Sequence, residues 1–129
     1  MDVKGKTGTI YDVKEAIGTP YTILENGIPK STTSTSGNPG GKEPRTAVGH
    51  SATHFYMVAV EGRQVGRSDG LTTMDLGYLL KHFDATDAVN LDGGGSTMLA
   101  IGSYKYGQPP SATYFRPVPN AFGIMKKLK

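Results

Sequence analysis

Apolar residues recur along 71–83, "LTTMDLGYLLKHF", at Leu76, Leu79, Leu80 and Phe83. That i, i+3, i+4, i+7 spacing marks one face of a helix. Thr72, followed by Asp75, resembles a capping box with Asp in place of Glu and sets the start of the helix. Gly77 falls inside the pattern, where glycine costs about 1 kcal/mol relative to alanine. Close packing against a sheet would account for it. The remaining apolar segments have strand lengths. "YTILENGIP" predicts a strand ending in an Asn26-Gly27 turn, the last of several short β pieces over Met1–Ile28. "RTAVGHS" and "FYMVAVEGR" read as two paired strands, and the near-continuous run Phe55–Val60 predicts burial on both faces. "DAVNL" is a buried strand and "TMLAI" a further one, with "GSYKYG" a turn region after it. "RPVPNAFGIM" reads as a last strand, its beginning placed at an edge or outside the ladder by Pro117 and Pro119.

Residues 31–42, "STTSTSGNPGGK", contain no apolar residue and predict a flexible loop, an active-site lid being the lesser alternative. Strands before and after one helix, joined by hairpin-length links, point to an α+β fold. The expected architecture is a mixed, mainly antiparallel sheet packed against one principal helix. At 129 residues the chain reads as a single domain, with N-terminal strands over 1–30, the loop over 31–42 and the remainder after it.

Composition narrows the function classes. The chain is 36% hydrophobic and 19% charged and holds 18 Gly and 8 Pro, a turn-rich globular balance. No apolar run approaches the roughly 18 residues of a membrane span, and the start "MDVKGKTGTI" lacks the apolar region of a signal peptide. Cysteine is absent, so a cytoplasmic location is expected, with a virion or a secreted protein by another route left open. The net charge of +3 comes partly from Lys126, Lys127 and Lys129, which read as a solvated end. No basic stripe with interleaved aromatics argues for nucleic acid. An anionic small ligand is compatible with the charge.

The stretch "NLDGGGSTMLA", Asn90–Ala100, carries the candidate chemistry. Gly93, Gly94 and Gly95 have no Cβ to keep a ligand away, and successive N–H groups in such a loop can form a nest for an oxyanion. Ser96 and Thr97 add hydroxyls, and Asn90 and Asp92 sit at the end of a buried strand. A phosphate or a sugar hydroxyl would fit that set; a plain structural turn is the competing reading. No GxGxxG is present, and "GNPGGKE" lacks the Ser or Thr that follows a P-loop lysine. His50 and His54 are four apart but sit at a strand-to-turn boundary with no third ligand, so solvent-facing histidines are expected, and no metal or other cofactor. His82 falls near the helix C-terminus, a structural position. Tyr104, Tyr106, Tyr114 and Phe115 read as core or hairpin packing, with a sugar-stacking wall as the alternative.

Taken in order, "PRTAVGH", "EGRQVGRSDGLTTMDLGYLL", "AVNLDGGGSTML" and "RPVPNAFGI" resemble the phosphodiester glycosidase family, over about Pro44–Ile124. The resemblance implies hydrolysis of the bond between a sugar's anomeric carbon and a phosphodiester. It carries over onto Arg45, Asn90, Asp92, Gly93, Gly94, Gly95 and Ser96, and onto Arg63 and Arg116. On that reading Arg45 and the glycine loop hold the phosphate, and Asp92 activates water or steadies an oxocarbenium-like centre. Asp69 and Glu43 are alternative second carboxylates that spacing does not separate. Arg67 reads as a solvated turn charge.

The chain departs from the family in two places. Glu61 stands where the family's "DGRQ" turn has Asp, and Met1–Lys42 is shorter than, and unlike, the family's N-terminal half. The expected ligand is a sugar-phosphate or nucleotide-like small molecule, with a homo-oligomer or a partner chain completing the pocket. A non-catalytic binding module, a piece of a longer polypeptide and a structural module of a larger assembly are the alternatives to a hydrolase.

Overall fold

The Asn26-Gly27 turn closes the first hairpin of the structure, a computed structural model that describes residues 15–19, 21–32, 37–107, 109 and 114–126. Asn26 and Gly27 have φ of +50° and +73°. Both are left-handed, as a two-residue hairpin turn requires. They join β1 (Tyr21–Glu25) to β2 (Ile28–Pro29). The β pieces expected before Lys14 lie outside the described residues, and Glu15–Thr19 forms no strand.

The paired strands are β3 (Arg45–His50) and β4 (Phe55–Val60), antiparallel from Arg45↔Val60 to His50↔Phe55. Helix α1 (Thr73–His82) then carries the chain back to β5 (Asp87–Asn90), which lies between β1 and β3. The sheet order is β2-β1-β5-β3-β4, and every pairing is antiparallel. The fold is α+β. The parallel member that a mixed sheet would need is not found among the described strands.

Leu76 and Leu80 of α1 pack on Ile23, Leu24, Ala47 and Ala88, all at or near complete burial. Leu79 packs at the margin, and Phe83, last of the periodic face, is the C-cap and 53% exposed. The capping box is formed: the Thr72 hydroxyl accepts from the Asp75 amide, and the Asp75 carboxylate accepts from the Thr72 amide. Gly77 explains itself by position, because a Cβ there would lie 2.3 Å from the carbonyl oxygen of Ile23. The helix backbone therefore rests directly on β1.

Three local expectations are corrected. Phe55–Val60 is half-buried throughout, not buried on both faces, because β4 is an edge strand with one neighbour. "GSYKYG" is more than a turn. Gly102 turns at φ +61°, and β7 (Tyr104–Tyr106) returns against β6 (Leu99–Ile101) as a separate hairpin. Arg116–Met125 forms no strand, since Pro117 and Pro119 remove two ladder donors. Its Phe122 instead stacks on Phe55 at 5.6 Å between centroids.

Helix propensity alone would make Gly77→Ala stabilising by about 1 kcal/mol. The 2.3 Å approach to backbone reverses the sign. We expect urea denaturation to show a loss of about 2 kcal/mol or more.

Candidate active site

Antiparallel pairing places three strand ends together. Tyr21 begins β1, Asn90 ends β5 and pairs with both Tyr21 and Ala47, and Arg45 begins β3 two residues before Ala47. A cleft of about 890 Å³ opens at this end and extends over the sheet face opposite α1, past Thr46, Val48 and Met57. It brings together Arg45, Arg63, Asn90, Asp92, Gly93, Gly94, Gly95, Ser96 and Arg116. Thr97 is not brought there. It is buried, and faces a smaller cavity beside Glu61 and Tyr106.

The glycine loop is held to the lead-in of β3. The Leu91 amide donates to Thr46 O, and the Gly94 amide to Pro44 O at 2.8 Å. The chain then turns as a 3-10 segment over Gly94–Ser96. Of the five amides from Gly93 to Thr97, four are engaged within the protein: Gly93 with the Asp92 carboxylate, Gly94 with Pro44, Ser96 with Gly93 and Thr97 with Gly94. The row of open amides expected of a nest is thus largely occupied.

The glycines have another use here. A Cβ on Gly94 would lie 3.2 Å from Arg63 Nη2, and one on Gly95 would lie 3.3 Å from Arg116 Cζ. Bare backbone at these two positions lets two guanidinium groups lie against the loop from different sides. Arg116 also donates through Nη2 to the Ser96 hydroxyl.

Each arginine is placed differently. Arg45 is 2% exposed and donates to four carbonyls: Leu71 through Nε, Gly37 through Nη1, and Asn38 and Gly41 through Nη2. The described part of the 31–42 loop is held to the cleft by these bonds, and Pro39 O accepts from both the amide and the hydroxyl of Thr73. Burial pulls the Arg45 guanidinium below the ordinary arginine value, and the Glu43 carboxylate opposes that shift. Arg63 is exposed and sits at φ +58°, in the left-handed region. Its Nε donates to Glu43 Oε2 at 2.6 Å.

Of the two carboxylates that spacing could not separate, Glu43 is the one placed beside the arginines. It lines the cleft, whereas Asp69 does not. Its Oε1 accepts from Asn38 Nδ2 at 3.2 Å. The bond from Arg63 holds its carboxyl below the usual glutamate range, with burial opposing and Asn38 reinforcing. The signal that selects Glu43 is its pairing with Arg63, a contact across 20 positions of sequence. Asp92 is exposed, its Oδ1 accepting from the Gly93 amide at 2.9 Å. Three arginines and two carboxylates therefore line one cleft, a balance that favours an anionic ligand.

The other candidates lie elsewhere. His50 faces Asp87 at 3.9 Å and His54 contacts the Thr53 hydroxyl. Among the described residues no group of three or more His, Cys, Asp or Glu side chains is arranged to hold a metal. Tyr104, Tyr106 and Tyr114 are exposed and line no part of the cleft, and Lys105 lies over the Phe115 ring. Arg67 is ion-paired with Glu61 at 2.9 Å. No helix of the described residues is long and apolar enough to cross a membrane.

Two solved structures share the fold. A hypothetical protein from Synechocystis superposes with a TM-score of 0.59 at 24% identity, covering 69% of this chain and 17% of that one. The catalytic domain of zebrafish N-acetylglucosamine-1-phosphodiester alpha-N-acetylglucosaminidase, auto-inhibited by pro-peptide, superposes with a TM-score of 0.60 at 23% identity. That match covers 72% of this chain and 34% of the zebrafish chain, so the chain spans about a third of that relative's length. No curated protein matches. The phosphodiester glycosidase family model matches residues 2–125, extending the likeness well before Pro44. With that match running through the glycine loop and all three arginines, the chain belongs to the phosphodiester glycosidase family.

Proposed function

We propose that the cleft hydrolyses the bond between a sugar's anomeric carbon and a phosphodiester. The observation that carries this reading is the meeting of Asp92, Glu43 and three arginines around the Asn90–Ser96 loop, in a chain of this family. Arg63 and Arg116, lying against Gly94 and Gly95, receive the phosphate. Their charge stabilises the anion that develops as the bond breaks. Arg45 acts from behind, holding the loop that carries Asn38 to Glu43.

The reaction needs little acid. A phosphate monoester leaves as a stable anion, so protonation of the leaving oxygen is less demanding than for an ordinary glycoside. Water attacks the anomeric carbon and loses its proton to Asp92, while the electron pair of the breaking C–O bond goes to the phosphate oxygen. Glu43, kept ionised by Arg63, cannot serve as a general acid at neutral pH and instead orients Arg63. A binding module that captures the same ligand without turnover is the second reading.

Two measurements test this reading. The purified chain is assayed on sugar-1-phosphodiesters, UDP-glucose and UDP-N-acetylglucosamine included, beside Asp92→Ala. We expect free sugar from the parent and a loss of roughly 10²-fold or more in kcat for the variant. Ligand bound by both and cleaved by neither would leave the binding module.

The second measurement is stability against pH. Glu43 has a depressed folded-state pKa, so its contribution is present above the unfolded value of 4.5 and is lost as pH falls through the folded value. Glu43→Gln should therefore cost about 1 kcal/mol at pH 7, modest because Arg63 is solvent-screened. Denaturation at successively lower pH should find the difference between the two proteins shrinking as pH falls below 4.5 and through the depressed folded-state value.

A further inference from the structure

Five buried side-chain atoms among the described residues have no hydrogen-bond partner, and three of them belong to residues lining the cleft: Tyr21 OH, Thr46 Oγ1 and Asn90 Oδ1. Buried polar atoms are nearly always paired, so an unpaired set concentrated at one cleft asks for a ligand. Thr46 belongs to the opposite face of the sheet, by its place between Arg45 and Ala47 in β3. Tyr21 and Asn90 are directly paired across β1 and β5 and share a face, each 3% exposed.

The chemistry of this pair is defined. Asn90 Nδ2 donates to Leu91 O, which fixes the amide orientation and leaves Oδ1 as an acceptor that needs a donor. The Tyr21 phenol can donate or accept. It lies against Gly37, where a Cβ would approach its oxygen to 3.5 Å. Asn90 Oδ1 can only accept, and an ionised phosphate oxygen has no proton to give it, so the pair does not suit the phosphate. Both suit a hydroxyl, which can donate to the amide oxygen and accept from the phenol. The arginines beside Gly94 and Gly95 take a different part of the ligand.

We infer that Tyr21 and Asn90 form a neutral subsite that reads the hydroxyls of the sugar, with Tyr21 a specificity-determining residue. The inference rests on the hydrolase reading above and adds which end of the cleft recognises the sugar. It also gives Asn90 a role in holding a hydroxyl, apart from the bond-breaking charges.

The test is Tyr21→Phe, which deletes one oxygen and leaves the ring. The substrates are the methyl phosphodiesters of glucose 1-phosphate and N-acetylglucosamine 1-phosphate, each with its mono-deoxy analogues. Since the oxygen has no hydrogen-bond partner among the described residues, the variant should melt at or above the parent temperature. The parent should lose about five- to tenfold in kcat/KM on one deoxy analogue, and the variant should lose about as much on the full substrate. The variant should then treat that analogue and the full substrate alike, the two losses failing to add. A lowered melting temperature would overturn the inference, because the hydroxyl would then be structural. Unchanged discrimination among the analogues would overturn it while leaving the hydrolase reading intact. Absence of turnover by the parent on every phosphodiester would remove both.

Discussion

Arg45 is 2% exposed, and the cost of taking its charge out of water has to be met inside the protein. Four backbone carbonyls meet it, from Gly37, Asn38, Gly41 and Leu71. A planar guanidinium can serve all four at once; an ammonium cannot present donors in that fork. These bonds join the start of β3 to the loop at 37–41 and to Leu71, which pairs in turn with Glu43 ahead of the helix. The lead-in to the helix and the loop are thus tied to the sheet at its cleft end by one side chain, beside the backbone bonds of Glu43 with Leu71 and of Thr73 with Pro39. The carboxylate of Glu43 and the amide of Asn38 are presented to the cleft because Arg45 holds the backbone that carries them.

From that anchor the rest of the site follows by proximity. Pro44, immediately before Arg45, accepts from the Gly94 amide and so fixes the height of the glycine loop. Glu43, immediately before Pro44, orients Arg63 over Gly94. Three consecutive residues therefore set a loop, a carboxylate and a buried cation. Arg116 comes from the far end of the chain and closes the other side of the loop through Ser96. The glycines serve contact between protein groups first. Their lack of side chains admits guanidinium groups, and those groups then supply the positive charge facing the cleft.

Much of this was legible from local pattern. The leucine spacing, the Thr72–Asp75 cap and the Asn26-Gly27 turn each depend on neighbours within one turn or hairpin, and each is found. Gly77 was legible as a close contact, though not its partner, Ile23 O. The glycine loop and its arginines were legible as a set through their order along the chain. What was hidden depends on pairing between distant segments. Edge status of β4 is set by the strand order, which periodicity does not encode. Glu43 and Asp69 could not be told apart by spacing, and they differ in which carboxylate pairs with the Arg63 guanidinium and lines the cleft. Tyr21 reads locally as an ordinary strand aromatic, and its isolation as a hydrogen-bonding group appears only once β5 lies beside it. The prolines at 117 and 119 were read as an edge effect, yet they abolish the strand altogether.

Arg63 holds a backbone conformation that a side chain disfavours, at φ +58°. Such a position costs an L-residue roughly 1–2 kcal/mol that glycine would avoid. A chain selected for stability alone would carry glycine there, and would lose the guanidinium that reaches both Glu43 and Gly94. The tension differs from that at Gly77, where contact with Ile23 overrides helix propensity and glycine is the stabler choice. At position 63 the same backbone twist that strains the turn aims the charge, so stabilising this loop and keeping its chemistry pull in opposite directions.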